Sequence, residues 1–326
     1  MLNLDRLLAL RAVATQGSIN AAAETLHVTT SAVSQQLAKL EREVGQPLLE
    51  RNGRGVRLTD AGTVLIAYAD RAMSVIEQAE AELDARRNTV AGPITIAVFA
   101  TAARGLAPFA ISDLVNRYRD IDVHLREHDP AESIPLLARR DVDLVIAVDW
   151  FNAPLAMPEG LVKAPLMDDL ADIALPATHR LANRPIVDLD AIAAESWISY
   201  PSNSICHDWL LHTLRSRGHE PRISHYANEH ATQVALVAAG LGAAVIPRLG
   251  RDPVPEGVKM VASNPTLHRH VYAIWRADAT RRTVIRAAVK AFEAATTKLA
   301  ELPSPGAQRR SPAIRPAGAS RARQKK

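Results

Sequence analysis

Four polar side chains in the stretch Ser18–Leu40 have the chemistry to read nucleic acid: Ser31, Ser34, Gln35 and Lys39. A glutamine carboxamide bonds bidentately to adenine, a serine hydroxyl reads base or phosphate, and a lysine ammonium neutralises phosphate. Their spacing leaves Val33, Leu37 and Leu40 at i, i+4 and i+7 for the opposite, inward face of a helix over about Ser31–Val44. Thr29 and Thr30 precede it and add two more short donor–acceptor groups. Taken alone, the same row would suit the solvated face of any helical hairpin.

The elements around that helix narrow the choice. A shorter helical pattern, about Asn20 to His27, lies just before it, and only Val28-Thr29-Thr30 separates the two. Helices joined so tightly must turn sharply, as in a helix-turn-helix. Gly45 closes the second helix, and Asn52-Gly53 sits between short apolar runs, a hairpin-turn signal. Arg51, Arg54 and Arg57 flank that turn. A basic hairpin beside a helix-turn-helix is a wing placed to touch phosphates or a minor groove. A first helix over about Asn3–Thr15, with Asn3 as N-cap, directs Leu4, Leu7, Leu8 and Val13 toward the pair.

The run Gly17-Ser18-Ile19, Ala22-Ala23, Leu26, Val33-Ser34-Gln35-Gln36-Leu37, Leu40-Glu41, Gly45, Leu48-Leu49, Arg51, Leu58-Thr59 and Ala61-Gly62 resembles the signature of LysR-type transcriptional regulators. The chain departs from it at Val13, Ile19 and Leu49, where the family commonly has aromatics, and at Ser31, where it often has proline. These are mostly packing positions. The resemblance implies a sequence-specific regulator that binds double-stranded DNA. It further implies an α/β chain with an N-terminal winged helix-turn-helix, a long linker helix, and a two-lobed α/β effector-binding domain similar to periplasmic binding proteins.

Thr59 looks like the N-cap of a long helix through about Arg87, spanning about 42 Å at ~1.5 Å per residue. Ala61, Leu65, Tyr68, Ala72, Val75 and Ala79 alternate spacings of four and three, the seam of a short coiled coil. Packing on the chain's own body is the competing reading; the family resemblance points to dimerisation through Leu65, Tyr68, Ala72, Val75 and Ala79, and to assembly as tetramers. Asn88–Pro93 reads as a hinge. Beyond it strand and helix alternate: strands at Ile94–Phe99, Asp122–Glu127 and Asp143–Val148, and helices at Gly105–Tyr118 and Ala131–Arg139. That order argues βαβ units and a parallel sheet. A second unit follows, with strands near Leu161–Met167 and Ala171–Pro176, helices after Ser204 and at His230–Ala239, a strand at Ala243–Ile246, a late strand at Val271–Trp275 and a helix at Val284–Leu299. The expected domains are 1–58 for DNA, 59–88 for the linker helix, 89–300 for effector binding and 301–326 for a disordered basic tail. By the resemblance, one lobe covers about 92–164 with 268–300, the other about 165–267, and a ligand cleft lies between them.

Composition sets the remaining bounds. Of 326 residues, 48% are hydrophobic and 23% charged, the profile of a soluble globular chain. No apolar run reaches the ~18 residues of a membrane span, and Asp5 and Arg6 interrupt the start, so a cytoplasmic protein without membrane attachment is expected. A single cysteine, Cys206, cannot form an internal disulfide, in keeping with a reducing compartment. The net charge of +4 is carried by the tail: Pro303–Lys326 holds seven basic residues and no acid, so the body is slightly acidic. DNA binding is therefore argued from where the arginines sit.

Enzymatic motifs are missing. Gly240-Leu241-Gly242 follows a helix and lacks a third glycine, and there is no Gly-x-Ser-x-Gly, phosphate loop or His-Glu-x-x-His. Cys206 and His207 are neighbours on a helix and diverge by ~100°, so they make no dyad. His268 and His270 share a strand face, but two ligands make no metal site. No cofactor, metal or catalysis is expected. Small-molecule binding has more support. Thr101 follows the first strand at a helix start; Tyr200, Ser202, Asn203 and Ser204 form a polar loop before another helix; Asn228 precedes a third; and Asp149-Trp150 follows a buried strand. Open α/β sheets place ligands at such points, and helix starts favour anions, a carboxylate or, given Asp149, an amino acid. The alternative is a solute-binding or enzymatic α/β protein carrying an unrelated helical hairpin.

Overall fold

Asn3 opens the first helix as the sequence leads one to expect. In the computed structural model, which describes residues 2–53, 55–87, 89–202 and 204–301, its side chain accepts the Arg6 N–H ahead of α1 (Leu4–Gln16). Gly17 ends α1 at φ +63°, a conformation that glycine adopts without strain. After α2 (Ile19–Thr25) the Thr29 hydroxyl accepts the Ala32 N–H at 3.2 Å and starts α3 (Thr30–Val44), which Gly45 closes at φ +76°. Strands β1 (Leu49–Asn52) and β2 (Gly55–Leu58) form an antiparallel hairpin with Asn52 opposite Gly55. Asn52 is thus the last paired residue of β1 and not the first residue of the turn. A Cβ at Gly55 would lie 2.6 Å from the Gly17 carbonyl oxygen, and Val56 N–H donates to that same oxygen at 3.0 Å. The wing is stitched to the end of α1.

Thr59 caps α4 (Asp60–Arg87), its hydroxyl accepting the Gly62 N–H at 3.1 Å. Leu7, Leu10, Val13, Ala22, Ala23, Val33, Leu37, Leu40 and Leu48 form one core, to which α4 adds Ala69, with Ala61, Leu65 and Ile66 packed on its margin. Met1–Thr89 and the short segment Asp278–Thr283 make one compact unit; Val90–Ala277 with the chain from Val284 makes a second. The linker helix is therefore part of the first unit, not a separate body. Asn88 and the proposed tail from 302 onward lie outside the described residues.

In the second unit β3 (Gly92–Val98) leads directly into α5 (Ala100–Gly105) and α6 (Ala107–Arg117). One helix over Gly105–Tyr118 was the sequence expectation; the chain breaks at Leu106 instead, and α6 restarts with Pro108 in its first turn. Then follow β4 (Ile121–Glu127), α7 (Pro130–Ala138), β5 (Leu144–Trp150) and β6 (Leu161–Pro176). Next come β7 (Ile186–Asp188), β8 (Ser196–Ser199), α8 (Ile205–Arg215), β9 (Arg222–Tyr226) and α9 (His230–Ala238). The unit ends with β10 (Ala244–Pro247), β11 (Val258–Asn264), β12 (Leu267–Arg276) and α10 (Thr283–Glu301).

The main sheet runs β4-β3-β5-β12-β6-β11-β7, with β10 also on β6. Strands β3, β4 and β5 are parallel, but β12 is antiparallel to both β5 and β6, so the sheet is mixed where the alternation of elements suggests a parallel one. β6 is a single 16-residue strand in place of two. Its first part pairs with β12 and its end, from Ala171, with β10 and β11. The Asp168-Asp169 pair that looks like a break stays in the ladder because Asp169 faces Arg269 across it. β8 and β9 form a separate parallel pair.

Candidate functional site

On α3, Val33, Leu37 and Leu40 are buried while Thr30, Ser31, Ser34, Gln35 and Lys39 are exposed along one side. Thr29 is exposed too, but its hydroxyl is engaged, capping the helix and lying 2.9 Å from the Ser31 hydroxyl. Gln35 and Lys39, one turn apart, project outward with their full hydrogen-bonding capacity. On the wing Arg51 is exposed, whereas Arg57 sits opposite Glu50 in the hairpin register and holds it at 2.7 Å. Arg57 thus brings less net charge than the sequence implies. Arg54 lies outside the described residues.

The seam positions of α4 divide. Leu65 is half-buried against the first unit's own core, a use that its exposed-seam assignment did not include. Tyr68, Ala72, Val75 and Ala79 are exposed, and Val64 and Leu83 continue the stripe above and below them. Val64 and Leu83 were missed because they lie off the alternation of four and three, which includes Leu65 beside Val64 and continues to Glu82. Apolar side chains of this size, aligned and unburied on one helix face, mark an interaction surface.

In the second unit, a cavity of about 390 Å³ brings together Thr101, Tyr200, Ser202, Ser204 and Asn228. Ser204 caps α8, its hydroxyl accepting the His207 N–H at 3.2 Å. Tyr200 meets the ring Nδ1 of His230 at 2.9 Å. Burial pushes the His230 imidazole down to about 3, aided by Arg269, Arg104 and Arg251, so it is neutral. Burial likewise raises the Tyr200 phenol, which stays protonated. Asn203 lies outside the described residues.

Two of the expected cavity residues are elsewhere. Asp149 is the sixth residue of β5, not beyond it; buried, it pairs with His270 Nδ1 at 3.0 Å and accepts the Leu155 N–H at 2.9 Å. Its oxygens are engaged by those partners, and it is not among the residues lining the cavity. Trp150 ends β5 and stacks on Trp209, ring centroids 3.6 Å apart, within the core. Thr101 is in the cavity wall, but α5 has six residues, too few to offer a helix-start anion site, and the Thr101 hydroxyl accepts from Arg269 Nη2 at 2.6 Å.

Sequence reasoning missed Arg269 and the carboxylates. Arg269 is 2% exposed and lines the cavity. A signal existed: Leu267, Arg269, Val271 and Ala273 alternate inward along β12, so a cation falls on the buried face of a strand. Glu127, Asp129 and Glu132 line the other wall. Asp129 caps α7, and burial, then Glu132, raises its carboxyl above the ordinary range. Cys206 also lines the cavity, its thiol pushed up by burial to about 11; it is a neutral wall group, not a nucleophile.

A winged helix-turn-helix followed by an α/β unit with a polar cavity has close counterparts. The family description "Bacterial regulatory helix-turn-helix protein, lysR family" matches residues 4–63, and "LysR substrate binding domain" matches 87–297. The chain belongs to the LysR family of transcriptional regulators. This regulator is 31% identical over 251 residues to a "Probable RuBisCO transcriptional regulator" of Chlorokybus atmophyticus, covering 74% of this chain and 80% of that one. It is 30% identical over 249 residues to the "HTH-type transcriptional regulator TtuA" of Agrobacterium vitis, covering 76% and 81%. Among solved structures, a variant of full-length OxyR from Pseudomonas aeruginosa shares the fold at TM-score 0.68 and 22% identity, over 90% of this chain and 98% of that one. Full-length CbnR with its target DNA shares it at TM-score 0.55 and 20% identity, over 90% and 100%. As a family member, the chain is a DNA-binding regulator with an effector-binding domain and not an enzyme. Among the described residues no helix is long and apolar enough to cross a membrane.

Proposed function

We propose that this cytoplasmic regulator reads a promoter through Ser31, Ser34, Gln35 and Lys39 of α3, with Thr29 and Thr30 at the helix start. The wing arginines Arg51, Arg54 and Arg57 hold the flanking phosphates. Residues 1–58 form the reader, and 59–88 pair two chains along Tyr68, Ala72, Val75 and Ala79, with Leu65 at the margin; dimers associate further into tetramers. Residues 89–300 sense the effector, one lobe about 92–164 with 268–300 and the other about 165–267.

The effector is a small carboxylate seated in the cavity of Thr101, Tyr200, Ser202, Ser204 and Asn228. What supports this most is the cavity itself: Thr101 at the start of α5 and the three hydroxyl-bearing side chains of one loop, Tyr200, Ser202 and Ser204, line one space of about 390 Å³. Asn203 belongs to the same loop. Asp149 and Trp150 act behind it, as buried supports for β5 and α8, and lend no ground for an amino group on the ligand.

The test is DNA binding by full-length protein to its own promoter region, with and without a panel of carboxylates, for wild type and Ala131→Trp. Ala131 lines the cavity mouth, and an indole there would fill it. A carboxylate that alters the footprint of wild type but not of Ala131→Trp upholds the reading. A response that survives in Ala131→Trp would place sensing elsewhere.

A further inference from the structure

Arg269 makes bonds with two of its three guanidinium nitrogens. Nε and Nη2 both approach Asp169 Oδ2 at 2.8 Å, and Nη2 donates to Thr101 Oγ1 at 2.6 Å. The remaining nitrogen, Nη1, has no hydrogen-bond partner among the described residues, although the side chain is 2% exposed and forms part of the cavity wall. Nη1 is not sealed in the protein but keeps access to the cavity, and the natural complement of a guanidinium donor placed there is a carboxylate oxygen. The side chain cannot swing away. It is clamped over the Phe99 ring at 5.3 Å, and Asp169 is itself fixed by the Leu249 N–H at 2.9 Å. Nη1 is therefore a preorganised donor.

The rest of the wall has the opposite character. Glu127, Asp129 and Glu132 line the cavity, and His128 sits on Glu132 at 3.1 Å. Arg269 is already matched by Asp169, so these carboxylates have no full cation among the described lining residues. A simple anion would meet three negative groups. A simple amine would leave Nη1 empty. Burial holds the Asp129 carboxyl above its ordinary range, a cost that an ammonium beside it would relieve.

We propose that the effector is an amino acid, its carboxylate on Arg269 Nη1 and its ammonium on Asp129, with Glu132 and Glu127 behind. This rests on the cavity reading above but not on Asp149, which faces another way. Arg269 and Asp129 then set specificity as two fixed ends, and the hydroxyls of Tyr200, Ser202 and Ser204 meet the remainder of the ligand. The cavity volume is at the small end of the ~300–1,000 Å³ common to ligand sites, in keeping with a guest of that size.

The experiment is isothermal titration of the full-length protein with three matched sets at millimolar concentration. These are the protein amino acids, the same chains without the amine, and the same chains without the carboxylate. At least one amino acid should bind about tenfold or more tighter than its matched acid and amine, since each lacks one charge-assisted contact. Asp129→Asn should reduce that amino acid to the level of its matched acid, without weakening the acid. Arg269→Lys, which keeps a cation for Asp169, should weaken the amino acid and the acid but spare the amine. Because these patterns compare ligands within one variant, general loss of stability cannot imitate them. An acid or amine that binds as tightly as its amino acid, or no amino acid that binds at all, overturns the proposal. If such a probe is lost in Ala131→Trp, the cavity reading survives; if it is retained there, that reading falls as well.

Discussion

Asp129 illustrates how a site residue works against the fold that carries it. Its carboxyl is raised in the folded protein, so the folded state binds that proton more tightly than the unfolded chain does. The contribution to stability is therefore lost as pH rises through the carboxylate range, and the penalty is complete above it. Asn caps a helix as well as Asp. Asp129→Asn should accordingly raise the melting temperature at neutral pH and lose that advantage in acid below the carboxylate range; calorimetry across pH checks both arms. On the wing, Arg51 is exposed and pairs with no acid among the described residues, unlike Arg57 on Glu50. Arg51→Ala should weaken all DNA sequences alike and lower the salt slope by about one, measured by titration of binding against salt. Residues of this kind were legible where local rules govern them. Asn3 and Thr59 cap helices through their side chains, as short polar residues before a periodic run should, whereas the caps at Thr29 and Ser204 fall on residues read as ligand or DNA contacts. Arg269 was not seen because its partners Asp169 and Thr101 lie 100 and 168 positions away, and only the strand pairing of β6 and β12 brings them together.

At the scale of elements, the helices were the more readable part. α3 buries Val33, Leu37 and Leu40 as its period demands, and α4 runs from its threonine cap as far as Arg87. The strands were harder. β7, β8, β9 and β11 went unnoticed because each is short or lacks an apolar alternation strong enough to stand out from loops. β6 was divided at Asp168-Asp169, where a salt bridge to another strand outweighs the local polarity. The same scale carries a prediction for α4. Ala72 is exposed at the centre of the stripe formed by Val64, Tyr68, Val75, Ala79 and Leu83. Ala72→Asp should oppose like charges in a paired seam and split the dimer, with little effect on the monomer's own fold. Sedimentation of the variant should give a smaller species; a wild-type assembly would show that another face pairs.

For the whole molecule, two units are joined in one chain so that a small molecule held in the second can alter what the first does on DNA. The family relation makes the chain a DNA-binding regulator; which residues read the promoter rests on the exposed row of α3. In the reading proposed above Gln35 is the main base reader of that row, since a carboxamide can form two bonds to one base edge. The direct measurement is selection of genomic fragments by full-length wild type and Gln35→Ala, sequenced side by side at one salt concentration. Wild type should enrich an interrupted inverted repeat, as two readers paired through α4 require. Gln35→Ala should bind that site more weakly by about 1–3 kcal/mol and tolerate other bases at the position that Gln35 contacts, with the rest of the repeat unchanged. Identical preferences for both proteins would contradict the account, because the exposed face of α3 would then not be what reads the DNA.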